Sequence, residues 1–194
     1  MSLGSIYIVC PGPSMRDFPF EKLRNRKTIV VNRSCYYVPN WDIMVFLDEQ
    51  MLNELSSSDN IDCSKDAKIY TRDYYKLYPD SINLNGLDIP IIKPETTRKK
   101  YQPVMLHRPN SGFFAFSLAV HLGYRDIRIL GMDSTNNYFF SDSIHGKNSQ
   151  NVSKYLNRTM KHFEKMYKGL NVSRYDNGNW NLFSKKSISE ILRP

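Results

Sequence analysis

Little in this sequence can cross-link, span a membrane or grip a metal. Three cysteines occur in 194 residues, Cys10, Cys35 and Cys63, and their odd number and unpaired spacing read as thiols in a reducing compartment rather than disulfides. No group of Cys and His has metal-ligand spacing. No apolar run reaches the roughly 18 residues that a membrane-spanning helix needs. A basic stretch followed by an apolar one is missing from the start, so no secretory leader is expected. Internal repeats and low-complexity tracts are also missing, which sets aside solenoids and disordered arrays. These absences lead to the expectation of a soluble, cytoplasmic protein.

What is present is globular. With 41% hydrophobic and 24% charged residues, a chain of 194 residues favours one domain with a real core. The net charge of +8 admits nucleic acid, an anionic membrane surface, an anionic substrate, or simply a solvated basic exterior. The 13 tyrosines and 10 phenylalanines supply rings for a cleft.

Apolar runs over residues 5–10, 27–32 and 41–47 predict strands buried on both faces. Pro13 and Ser14 suit a helix start, and a short segment with Phe18, Phe20 and Leu23 follows. Residues 53–103, rich in serine and proline, read as irregular, with short strands at 68–71 and 89–92. A helix over 111–122 closed by Gly123, a strand over 127–130, and a polar loop that could form a lid over 134–148 come next. An amphipathic helix over 149–168 and a last strand over 170–175 complete the reading. Strand alternating with helix predicts an α/β domain, a variant Rossmann-like fold with a mostly parallel sheet.

The chemistry collects at strand ends. The turn Cys10-Pro11-Gly12-Pro13-Ser14 follows the first strand, where a glycine lets the chain pass close to a ligand and helix-start N–H groups can cradle phosphate. Asn32, Asp48 and Asp133 each follow a strand at the same edge, where short polar groups can bind ribose or a base. For Asn32 and Asp48, a turn-forming asparagine and a helix-capping aspartate are equally good readings. Arg108 stands before Asn110, Ser111 and Gly112 at a helix start, a suitable place for a carboxylate or phosphate, although Asn110 or Ser111 could simply cap the helix. Of the four histidines, His121 reads as structural and His162 as solvated, while His107 could go either way. His145, in the polar loop, is the best-placed general base, because imidazole titrates near neutrality.

Together these residues resemble the bacterial sialyltransferases of the Campylobacter type, glycosyltransferase family 42. That family opens with a strand and a Gly-Asn-Gly-Pro-Ser loop, has an asparagine after the second strand, and carries an Arg-x-Thr-Ser-Gly turn before an apolar helix. The helix ends in Leu-Gly-Tyr and leads to a strand closing in Gly-Ile-Asp. Here these read Cys10-Pro11-Gly12-Pro13-Ser14, Asn32, Arg108-Pro109-Asn110-Ser111-Gly112, Leu122-Gly123-Tyr124 and Gly131-Met132-Asp133. The family's later histidine before a Glu-Lys-x-Tyr helix is similar to His145 before Glu164-Lys165-Met166-Tyr167. Its tyrosine two residues past the aspartate is Thr135 in this chain, which leaves Tyr138 as the nearby phenol.

The resemblance implies a CMP-activated donor and metal-independent inverting displacement, with His145 as base and tyrosine beneath the departing phosphate. A weaker resemblance joins Pro39-Asn40-Trp41-Asp42 through Asp48 to flagellin-accessory and pterin-diphosphokinase-like proteins.

The sequence therefore predicts a sialyltransferase-like enzyme acting on a nucleotide-sugar donor and a glycan acceptor. Its expected catalytic residues are His145, Arg108 and Tyr138. Its expected nucleotide residues are Gly12, Pro13, Ser14, Asn32, Asp48, Ser111, Gly112 and Asp133, with no metal or cofactor. The alternatives are a diphosphokinase with magnesium at Asp48 or Asp133, and a non-catalytic nucleotide or nucleic-acid-binding module. No ordered basic-aromatic stripe favours nucleic acid, while peripheral membrane association and a homo-oligomer stay open.

Overall fold

β1 (Ile6–Val9), β2 (Thr28–Val31) and β3 (Trp41–Val45) are short apolar runs rich in β-branched residues, the pattern of strands covered on both faces. The computed structural model describes residues 3–58, 61–71, 79–92, 111–133, 169–178 and 183–193, and these strands lie side by side within its nine-stranded sheet. The chain continues through α1 (Glu49–Ser56), β4 (Cys63–Tyr70), β5 (Ser81–Leu84) and β6 (Leu87–Ile92). Beyond these come α2 (Ser111–His121), β7 (Asp126–Leu130), β8 (Asn171–Tyr175), β9 (Ser184–Lys185) and α3 (Ile188–Ile191).

The strand order is β5-β6-β4-β3-β2-β1-β7-β8-β9. Every neighbouring pair runs parallel except β5 with β6. From β1 the chain builds outward on one side as far as β6, then returns with β7 on the other side of β1. The order therefore reverses between β1 and β7, and in such a sheet the crevice for a ligand opens there, beyond the carboxyl ends of the strands. This is the α/β, Rossmann-like architecture that the sequence predicts.

Alternate side chains supply two cores. Ile6, Ile8, Ile29, Val31, Ile43 and Val45 face α2, whose Phe113, Phe114, Phe116 and Leu118 are buried against them. An eleven-residue helix that is apolar around its whole circumference has to be enclosed, and α2 is. Its end is a Schellman cap: Gly123 at φ +97° donates its N–H to Val120, and Tyr124 donates to Ala119. On the opposite face Tyr7, Val9, Val30, Met44 and Phe46 pack against Met15, Leu23, Met51, Leu55 and Ile191.

The segment 53–103 is more regular than expected wherever it is described. β4 runs for eight residues, and β5 and β6 form a hairpin turned by Asn85 and Gly86, both at positive φ. Such a turn matches the twist of the strands it joins. The helix expected over 149–168 and the lid expected over 134–148 lie outside the described residues. Among the described residues no helix is long and apolar enough to cross a membrane.

Candidate active site at the switch point

The loops after β1 and β7 meet without room for a side chain between them. Gly12 donates its N–H to Gly131 O at 2.9 Å, Cys10 donates to Leu130 O at 2.8 Å, and Gly131 donates to Tyr175 O at 2.8 Å. A Cβ at Gly12 would stand 2.2 Å from both Asp133 Oδ2 and Gly131 O. One at Gly131, whose φ is +70°, would stand 2.3 Å from Cys10 O. Both positions have to be glycine for the strand ends to close.

Asp133 lies at the centre of this seam and is 4% exposed. Its Oδ2 accepts the Ser14 N–H at 2.8 Å, and its Oδ1 accepts the Asn177 N–H from the loop after β8. One carboxylate thus fastens the loops of three strands. Each oxygen keeps a further lone pair, so this positioning role stands beside the ribose or base contact expected of Asp133.

The Gly12 turn also differs from its expected chemistry. Cys10, Gly12 and Ser14 donate to Leu130, Gly131 and Asp133, while Met15 and Arg16 donate to Gly12 and Pro13 within a short 3₁₀ turn at Pro13–Met15. Pro11 and Pro13 have no N–H. From Cys10 to Arg16 every backbone N–H is absent or used inside the chain, so this turn is no phosphate cradle. Gly12 makes room for the Asp133 carboxylate rather than for a ligand. Ser14 does keep one free group, its buried hydroxyl, which has no partner.

One strand over, roughly 5 Å away by sheet spacing, Asn32 follows β2 and opens a 3₁₀ turn, Asn32–Tyr36. Its φ of +50° is the left-handed conformation that asparagine tolerates better than most residues. The turn-forming reading therefore holds for the backbone. The side chain adds something further: Oδ1 is buried and accepts no hydrogen bond. Buried acceptors of that kind are rare in folded proteins and call for an explanation. Arg33, beside it, pairs with both Glu54 oxygens, Nε to Oε2 at 2.8 Å and Nη2 to Oε1, and so ties the turn to α1.

Asp48 is the N-cap residue of α1, extended at φ −114° and ψ 131°, but its exposed side chain makes no capping bond. Ser111 and Gly112 are buried at the first turn of α2, which packs over β1, β2 and β3. The structure thus gathers Gly12, Pro13, Ser14, Asn32, Asp48, Ser111, Gly112 and Asp133 along one sheet edge. Arg108, Tyr138 and His145 lie outside the described residues.

Burial raises the Cys10 thiol far above its ordinary range, and the Asp133 and Asp176 carboxylates raise it further. Cys35 and Cys63 are also raised, chiefly by burial. Protonated thiols are poor nucleophiles, so these cysteines belong to the packing. Desolvation lifts the Tyr175 phenol as well, helped by Asp133. Among the described residues no group of three or more His, Cys, Asp or Glu could hold a metal.

Asp176, immediately past β8, is a site residue that the sequence reading missed. It is 1% exposed, its Oδ1 accepts from Arg174 Nη1 at 2.5 Å and from Gly178 N at 2.8 Å, and its Oδ2 is buried without a partner. The rule that singled out Asp48 and Asp133, an aspartate directly after a strand, also finds Asp176 once 170–175 is read as a strand. Two clefts among the described residues, about 330 and 420 Å³, lie at the opposite, amino edge, lined by Arg24, Lys27 and Asp42 in one and Asp62 and Asn85 in the other. Arg24, Lys27 and Asp42 there are already ion-paired within the chain, so the switch point remains the candidate.

No protein-family model matches the sequence, and no curated protein does. Among solved structures the chain is similar to the sialyltransferase CstII from Campylobacter jejuni, solved in complex with a substrate analogue, cytidine-5'-monophosphate. The likeness is one of fold. Identity is 15% and the TM-score 0.53, with 97% of this chain and 87% of that one covered. The shared architecture thus extends over nearly all of both chains.

Proposed function

We propose that this chain is a glycosyltransferase of the sialyltransferase type, moving a sialic-acid-like sugar from a CMP donor to a glycan hydroxyl. The observation that carries the reading is the unpartnered, buried Oδ1 of Asn32 beside a switch-point crevice. An amide oxygen there can accept from the exocyclic amine of cytosine or from a ribose hydroxyl. The fold shared with CstII, and the cytidine-5'-monophosphate bound to that protein, support the choice of nucleotide.

In this reading Asn32 and Asp48 hold the nucleoside, and the first turn of α2 at Ser111 and Gly112 faces the phosphate, favoured by the helix dipole. Asp133 positions the loops. Arg108 binds an anionic group and Tyr138 supports the leaving phosphate, in line with the family resemblance. The acceptor oxygen attacks the anomeric carbon while His145 takes its proton. The bond from that carbon to the phosphate oxygen breaks, CMP departs with the electron pair, and configuration inverts.

The alternative, a magnesium-dependent diphosphokinase, would place its metal at Asp48 or Asp133. A thermal-shift series with CMP, CDP, UDP and ATP, with and without magnesium, tests the reading. Stabilisation by CMP without magnesium is the expected result, and a shift only with ATP and magnesium selects the diphosphokinase. His145→Ala should lower transfer by about a hundredfold or more while CMP still binds. Unchanged transfer or donor hydrolysis removes His145 from the role of base.

A further inference from the structure

The two sides of the crevice differ in charge. On the β1–β3 side stand the first turn of α2 and the orphaned Asn32 amide oxygen. On the β7–β8 side stand two buried carboxyl groups, Asp133 and Asp176, linked through one loop because Asn177 donates its N–H to Asp133. A phosphate is repelled by the second side and attracted by the first. What the second side can receive is a neutral donor group, a hydroxyl above all.

Both Asp133 oxygens already accept a backbone N–H, whereas one Asp176 oxygen has no partner. Arg174 and the Gly178 N–H hold Oδ1, which fixes the plane of the carboxyl group. Oδ2 is then surplus to every structural need among the described residues. An asparagine could keep both Oδ1 contacts without placing an orphaned carboxylate oxygen in a dry site, which is costly. Desolvation raises the pKa of the group, against the pull of Arg174. Perturbed carboxyl groups of this kind collect at functional sites.

We propose that Asp176 Oδ2 accepts a hydrogen bond from a hydroxyl of the group carried on the nucleotide, making Asp176 a recognition residue for the transferred sugar. The inference rests on the reading of the crevice as a nucleotide-sugar site and adds what binds on its far side. A hydroxyl that reaches this oxygen, which is buried in the free chain, meets an acceptor with little competing solvent, so the contact discriminates strongly among sugars.

The test is calorimetric titration of the wild type, Asp176→Asn and Asp176→Ala with CMP, UDP and GDP, and with a sugar conjugate of each. The expected result is that bare-nucleotide affinity stays within about twofold, while the added affinity of the sugar conjugate falls about tenfold or more, on the scale of a lost charge-assisted hydrogen bond. An unchanged increment, or equal loss for bare and conjugated nucleotide, overturns the assignment of Asp176. If a base other than cytosine binds, the CMP reading fails, and the same ratio on that base decides Asp176. If the wild type binds no sugar nucleotide, both fail together. Should loss of the Asp176 charge unfold the chain, the Arg174→Gln, Asp176→Asn double variant removes both charges and carries the same test.

Discussion

The two edges of this sheet are built from the same strands and treat their polar groups in opposite ways. At the amino edge Asp42 accepts the Thr28 N–H at 2.9 Å and Lys27 Nζ at 2.7 Å, and Arg24 bridges to Glu21 and Asp62. Arg128 donates to Tyr7, Ile191 and Arg193 and so fixes the end of α3. At the carboxyl edge Ser14 Oγ, Asn32 Oδ1, Thr71 Oγ1 and Asp176 Oδ2 are buried with no partner. The amino edge has orphans too, the Trp41 indole N–H and the Ser64 hydroxyl. The difference lies in kind, since the amide and carboxylate oxygens left unpaired in the described residues are both at the carboxyl edge. One edge satisfies its charged groups within the chain, and the other leaves an amide and a carboxylate oxygen unpaired among the described residues.

The largest effect that can break this comparison is steric. Gly12→Ala forces a Cβ into Asp133 and Gly131 and should cost about 3 kcal/mol or more in urea unfolding, whereas Gly4→Ala, with nothing within 4 Å, should change stability by under about 0.5 kcal/mol. Next comes Asp133→Ala, which strands the Ser14 and Asn177 N–H groups and should cost about 2–3 kcal/mol. It should also weaken ligand binding, because the loops lose their brace. Asp42→Ala, its counterpart at the amino edge, should cost about 1–2 kcal/mol and leave nucleotide affinity unchanged. Weakened nucleotide binding in that variant erases the distinction between the edges.

Asn32→Gly is the subtler probe. Glycine fits φ +50° without strain, so stability should stay within about 0.5 kcal/mol while nucleotide affinity falls about tenfold. The smallest effect is a slope with pH. Burial raises Asp176 from its ordinary 3.8, so the folded chain holds that proton more tightly than the unfolded chain. Its contribution to stability is present below 3.8 and lost as pH rises through the folded value. Against wild type, Asp176→Asn should therefore gain relative stability as pH rises across that window, read from denaturant melts at a series of pH values.

Most of the sheet was legible because a parallel strand buried on both faces has to be an unbroken apolar run, as in Ile6–Val9 and the Ile29–Val31 part of β2. α2 was legible down to its cap for the same reason. The hairpin is not expected although Asn85-Gly86 is a strong two-residue turn signal, because only its second strand, at 89–92, stands out from a stretch rich in serine and proline. Pro90 in fact sits within β6 opposite Ser81. α1 was missed because among its described side chains only Met51 and Leu55 are buried, too little periodicity to stand out. At the site, sequence located the strand ends but not what their groups were committed to. No spacing rule reveals that each Asp133 oxygen accepts a backbone N–H, or that one Asp176 oxygen has no partner.

The carboxylate of Asp133 has a mechanical consequence. Strand ends joined only through a sheet can shift past one another at their loops, whereas those of β1, β7 and β8 share a single bolt, seated against Gly12 with no slack. A displacement of the β8 loop is therefore delivered to the turn at Ser14 without passing through solvent. If a molecule fills the crevice as proposed, its two halves would report on each other through one side chain.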